Sequence, residues 1–137
     1  MSESAATESR ARVAVMGSGS WGTAFAMVLS DAGNQVTLWA RRRELAHKIN
    51  IEHRNPDYFP DLQLPASLKA VSDPDEAMNG AHFVVLAVPA QALRGNFTQW
   101  QIPENASVVS LAKGIELGTG LRMSEVIAEA GNIARPL

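Results

Sequence analysis

The sequence predicts an α/β fold, a doubly wound parallel sheet with helices on both faces, and three observations point there. Short runs of almost wholly apolar residues recur along the chain, as in strands that are buried on both sides. The stretches between them carry apolar residues three and four apart, the spacing of helices that cover a sheet. The first run, VAVM, ends in the glycine-spaced turn GSGSWG, which leads into a helix rich in small residues.

Arg12 to Met16 is the first such run, and it stops at Gly17. From Ser20 onward Ala24, Phe25, Val28 and Leu29 recur at helical spacing until Gly33 and Asn34 close the segment. Gln35 to Trp39 is the second strand, which completes a compact strand, helix, strand unit. Residues 41 to 55 read as a helix with Leu45 and Ile49 on one face, and NPDYFPDLQLP then breaks it, because prolines cannot continue a helix. Residues 68 to 71 read as a short strand. Asp73 caps a following helix, with Pro74 suited to its first position and Glu76 completing a capping box. AHFVVLAV, residues 81 to 88, and ASVVSLA, residues 106 to 112, are two further strands with a short helical stretch between them, and residues 122 to 130 close the sequence as a helix.

Composition narrows the function classes. A chain of 137 residues suits one domain with a real core. Residues 1–11 read as a disordered polar tail, leaving 12–137 as the domain. With 12 Lys+Arg against 14 Asp+Glu, the formal charge of −2 gives no broad basic surface for nucleic acid. There are no cysteines, which excludes disulfide frameworks, thiolate metal sites and thiol nucleophiles, and fits a cytoplasmic setting. His47, His53 and His82 match no metal-ligand spacing and are expected in structural or surface roles. No apolar run approaches the roughly 20 residues that span a bilayer, so no membrane insertion is expected.

The glycine turn carries the chemistry. In a Rossmann-type fold Gly17 permits the tight turn, Gly19 lets the backbone approach a pyrophosphate, and Gly22 lets the helix pack close to the strand. The helix N-terminus then offers unpaired N–H groups and partial positive charge to the phosphates. Only the backbone is required of Ser20 and Trp21. The competing reading is a glycine-rich turn without a ligand, with Trp21 packed on the sheet edge. Where NAD-specific sites tend to carry an acid about 20 residues after the glycines, this sequence reads Trp39-Ala40-Arg41-Arg42-Arg43. Arginine forks onto a 2′-phosphate, so the pattern predicts that NADP is accepted alongside NAD. The alternative is a solvated basic helix start.

VAVMGSGSWGTAFA, VTLWARR, YFPDLQLP, LAVPAQALR and SLAKGIE occur in this order. Together they closely resemble the NAD(P)-dependent glycerol-3-phosphate dehydrogenases of bacteria, over residues 12 to 137. The resemblance implies reversible reduction of dihydroxyacetone phosphate to sn-glycerol 3-phosphate, a small phosphate substrate that supplies phospholipid synthesis. It also implies dinucleotide contacts at Ser20, Trp21, Arg41, Arg42, Tyr58 and Lys113, with Lys113 touching substrate as well. A homodimer of the full-length enzyme stays open. Ala90 stands where many members carry serine. Lys113 follows a strand and so projects at the carboxyl end of the sheet, where its ammonium can hold a phosphate or polarise a carbonyl; the plain alternative is a lysine pointing into water.

The resemblance further implies a general acid/base lysine beyond residue 137, on a mainly helical C-terminal domain, so no catalytic residue is expected in this chain. It is then a cofactor-binding portion, nearly inactive alone. A free-standing nucleotide-sensing module, or the front half of another two-domain dehydrogenase, are the alternatives.

Overall fold

The computed structural model describes residues 10–112 and 114–131. Residues 1–9 of the expected tail and Lys113 lie outside the described residues. Ala11, which the sequence reading assigns to the tail, is already tied to Asn34 and Gln35. Its N–H donates to Asn34 Oδ1 at 3.2 Å and its carbonyl accepts from Gln35 N–H at 2.8 Å.

Five parallel strands form one sheet in the order β3-β2-β1-β4-β5. They are β1 (Arg12–Met16), β2 (Gln35–Trp39), β3 (Lys69–Val71), β4 (Phe83–Leu86) and β5 (Ser107–Ser110). The first two match the sequence reading to the residue. The runs at 81–88 and 106–112 are apolar beyond the paired strands, because their ends continue into half-buried loops at the carboxyl edge. Central β1 pairs with β2 on one side, Met16 opposite Trp39, and with β4 on the other, Met16 opposite Leu86. The chain reaches β3 at one edge and then crosses to β4 beyond β1, so the loops leaving β1 and β4 diverge. That reversal opens a crevice outside the carboxyl ends of the strands.

Helices cover both faces, as the continuous apolar strands require. On one face α1 (Ser20–Asp31) and α2 (Arg43–Glu52) pack Ala26, Leu45 and Ile49 onto Val13, Val15, Val36, Leu38 and Val85. On the other, α3 (Pro74–Met78), α4 (Leu93–Phe97) and α5 (Met123–Gly131) pack Met78, Leu93, Phe97 and Ile127 onto Ala14, Met16, Val84 and Leu86. Trp39 and Trp100 meet edge to face at 5.3 Å there, and the Trp39 indole N–H donates to Ser72 O at 2.9 Å.

Three details differ from the sequence reading. The buried stripe of α1 is the small set Gly22, Thr23, Ala26 and Ser30, while Val28 of the expected apolar set points to solvent. Gly22 and Thr23 face inward where this helix presses closely on the turn that precedes it. Next, α2 begins at Arg43, since Arg42 is its extended N-cap (φ −89°, ψ 126°), and it ends where His53 turns left-handed at φ 54°. Finally, Asp73 caps α3 by accepting from Asp75 N–H at 2.9 Å, but Glu76 turns its carboxylate toward Lys69, 3.9 Å away.

His47 is exposed on α2, and His82 Nδ1 accepts from Arg12 N–H at 3.1 Å. Among the described residues no group of three metal-ligating side chains converges, and no helix is long and apolar enough to cross a membrane.

Candidate functional site

A cleft of about 1000 Å³ lies at the carboxyl ends of the strands. Residues 17–21 of the turn after β1 form its floor. Arg41, Arg42, Asp57 and Tyr58 form the wall beyond β2, and residues 87–90, Asn96 and Ser110 form the wall beyond β4 and β5. Of the residues singled out from sequence, Gly17, Gly19, Ser20, Trp21, Arg41, Arg42 and Tyr58 come together here. Gly22 sits beneath the floor without lining it, and Lys113 lies outside the described residues, next to Ala112, which does line it.

The three glycines stand in different surroundings. Gly17 has φ +134°, and a Cβ there would meet the Ala87 carbonyl oxygen at 2.7 Å. A Cβ on Gly22 would stand 1.9 Å from the Gly17 carbonyl oxygen. Both clashes are with backbone, so these two glycines are demanded by the protein's own packing. Gly19 differs: its backbone is extended (φ −72°, ψ −167°), and a Cβ would touch only the Tyr58 ring at an ordinary 3.9 Å. No atom of the described chain forbids a side chain at Gly19; the space kept free lies in the cleft.

Gly19 is also the N-cap of α1. No side chain caps that helix, and its first turn carries no acid. Its leading N–H groups and the positive end of its dipole therefore face the cleft uncompensated, an arrangement suited to anions. Trp21 is 74 % exposed at the rim, so it is not packed on the sheet edge. Among the described residues, no carboxylate lies within ion-pair distance of Arg41, whereas Arg42 is paired with Asp57.

Beneath the floor lies a polar knot that sequence reasoning missed. Asn55 is fully buried. Its Nδ2 donates to the Ser18 carbonyl at 2.8 Å and to Thr23 Oγ1 at 2.9 Å, and the Thr23 hydroxyl donates to the same carbonyl at 3.1 Å. Asn55 Oδ1 accepts from Asp57 N–H at 3.1 Å. The available signal was Asn-Pro-Asp just past a helix, a stretch whose side chains bond local backbone, but nothing local says that it returns to the glycine turn.

The far wall is braced by charge. Glu116 is one-tenth exposed and receives the Arg94 guanidinium at 3.0 Å and the Thr119 hydroxyl at 2.6 Å. These bonds, that from Arg94 first, hold the Glu116 carboxyl below the usual carboxylate range. Arg94 also reaches Glu129 of α5 at 3.0 Å, and Gln91 holds Ile115 O and Leu117 N–H at 3.1 and 2.9 Å. The loop after β5 is thereby fixed to α4 and to the short turn at residues 90–92 that precedes it.

A parallel sheet of this order, with its glycine turn at the crevice, defines a Rossmann-type α/β domain. Residues 12–136 match the family model described as NAD-dependent glycerol-3-phosphate dehydrogenase N-terminus, and the chain belongs to that family. It is 63 % identical over 119 residues to glycerol-3-phosphate dehydrogenase [NAD(P)+] of Corynebacterium glutamicum, covering 85 % of this chain and 36 % of that protein. It is 59 % identical over 117 residues to glycerol-3-phosphate dehydrogenase [NAD(P)+] 2 of Mycobacterium tuberculosis, covering 84 % and 35 %. Among solved structures, the glycerol-3-phosphate dehydrogenase of Coxiella burnetii superposes with a TM-score of 0.82 at 29 % identity, over 90 % of this chain and 38 % of that one. The chain thus spans about a third of the length of the curated relatives it matches.

Proposed function

We propose that the chain is the cofactor-binding part of an enzyme that interconverts dihydroxyacetone phosphate and sn-glycerol 3-phosphate with NADP(H) or NAD(H). One observation carries the dinucleotide reading: Gly19, which the chain's own packing does not require, stands at the uncapped N-terminus of α1 beside the cleft. The substrate rests on the family and on relatives named for that activity.

When bound, the dinucleotide supplies the hydride. In this reading the N–H groups at Gly19, Ser20 and Trp21 hold the pyrophosphate, with Gly17 and Gly22 shaping the turn. Arg41, Arg42 and Tyr58 take the adenosine side. Lys113, following β5, orients the substrate phosphate or carbonyl. The ionisable side chains among the described lining residues are Arg41, Arg42, Asp57 and Tyr58, and the walls beyond β4 and β5 contribute none of them. The resemblance to the family assigns the proton that the forming alkoxide needs to a lysine outside this chain. The wider proposal places the enzyme in the cytoplasm, supplying glycerophospholipid synthesis, with a homodimer as its full-length form.

Titration with NADPH, followed by its fluorescence, tests the reading. Saturable binding is expected. No change at high micromolar protein would refute it, and brisk reduction of dihydroxyacetone phosphate by this chain alone would refute the assignment of the proton donor.

A further inference from the structure

We propose that Asp57 tunes the choice between 2′-phosphorylated and unphosphorylated dinucleotides, by occupying the Arg42 guanidinium. The proposal rests on the dinucleotide reading above. The segment after β2 presents Arg41, Arg42 and Arg43 with no acid before Glu44, so by local sequence alone cations would meet whatever the ribose carries. The fold changes this by bringing a carboxylate from another loop to the same wall, where Asp57 pairs with Arg42 and both line the cleft.

Asp57 is anchored through its backbone. Its N–H is bonded to Asn55 Oδ1 at 3.1 Å, and buried Asn55 is fastened to Ser18 and Thr23. The Asn55 carbonyl accepts from Phe59 N–H at 2.9 Å, which winds residues 55–59 into a tight loop around the same anchor. The Asp57 backbone is therefore fixed relative to the glycine turn, its carboxylate is held to the wall by Arg42, and that turn fixes where a dinucleotide would lie.

The chemistry follows from charge. A 2′-phosphate must share Arg42 with Asp57 or displace it, and it also meets a like charge at short range. A plain 2′-hydroxyl carries no charge to repel and can donate to a carboxylate, the role that acids at the end of the second strand fill in NAD-specific sites. Arg41, without a carboxylate partner among the described residues, favours the phosphate. Preference is then a balance between Arg41 on one side and Asp57 on the other.

The test measures dissociation constants for NADPH and NADH by calorimetry in wild type, Asp57→Asn, Arg42→Gln and the double variant, with the melting temperature of each. Asp57→Asn should tighten NADPH by about 10-fold while NADH moves by less than about 2-fold. That gain should fall to less than half in the Arg42→Gln background, where no guanidinium is released. An unchanged NADPH-to-NADH ratio in Asp57→Asn, or a gain of equal size without Arg42, would overturn the proposal. If Asp57→Asn melts early, Arg42→Gln decides alone: it should weaken NADPH more than NADH, and equal losses would count against the proposal. Wild-type protein that binds neither dinucleotide would instead refute the dinucleotide reading itself.

Discussion

Alanine at Gly22 and alanine at Gly19 should fail in opposite ways, although the two positions lie in one six-residue turn. At Gly22 the new Cβ would lie 1.9 Å from the Gly17 carbonyl oxygen, against the 3.4 Å at which ordinary contact begins, a shortfall of about 1.5 Å. Gly17 has little room to yield, since the place a Cβ would take on it is closed by the Ala87 carbonyl. Helix and turn must part, at a cost of about 3 kcal/mol. For a chain of this size that lowers the melting temperature by about 10 °C. At Gly19 the backbone already suits alanine, and its methyl group would meet nothing closer than the Tyr58 ring at 3.9 Å. Stability should change by no more than about 1 kcal/mol. The methyl group nonetheless enters the space assigned to the pyrophosphate, so NADPH affinity should fall by about 10- to 100-fold. Circular dichroism melts and NADPH fluorescence titrations on both variants separate the two effects. A Gly19→Ala protein that binds NADPH within about threefold of wild type would refute the placement of the phosphates on this turn, and an unshifted melt for Gly22→Ala would refute the packing argument.

Three further outcomes are expected. Arg41→Ala should weaken NADPH by about 10-fold or more while leaving NADH nearly unchanged, through loss of a charge-assisted hydrogen bond worth about 1.5–3 kcal/mol; equal losses would deny it a role at the 2′-phosphate. Asn55→Ala should destabilise the fold by about 2–3 kcal/mol, because the deletion removes three bonds from the buried knot, strips the Asp57 N–H of its partner and leaves the Ser18 carbonyl and Thr23 hydroxyl only the bond between them; urea denaturation measures it. Glu116 contributes stability that is complete at neutral pH, because its carboxyl in the folded state lies below the usual range. That contribution fades as pH drops below about 4.3, the unfolded value, and on through the depressed folded one. The gap in melting temperature between wild type and Glu116→Gln should accordingly be present at pH 7 and shrink in strong acid.

What the sequence makes legible here is whatever short-range patterns encode. The β1 strand ends where its apolar run meets Gly17 and β2 ends just short of the arginines that begin at Arg41, and the positions of Gly17, Gly19, Trp21 and Arg41 follow from strand-turn-helix spacing. The buried stripe of α1 was not legible. Apolar periodicity selects large residues, whereas the helix faces the turn with Gly22 and Thr23 and the sheet with Ala26. Asn55 and Asp57 were less legible still. Asn55 lies 37 residues from its partner Ser18, in a stretch whose prolines announce only the end of a helix, and its importance arises solely from the path of the chain back to β1. The same holds for Glu116, whose partner Arg94 sits 22 residues earlier on another element.

The knot under the glycine turn bears on how a ligand is received. Ser18, at the crest of the turn, is gripped by two donors from below, and Gly17 is wedged between α1 and the end of β4. The entropy of ordering this loop is therefore spent during folding and not at the moment of encounter. A phosphate arriving at the cleft meets donors already aligned, so association should proceed without a slow loop-closing step, and differences in affinity between ligands should reside in how fast they leave.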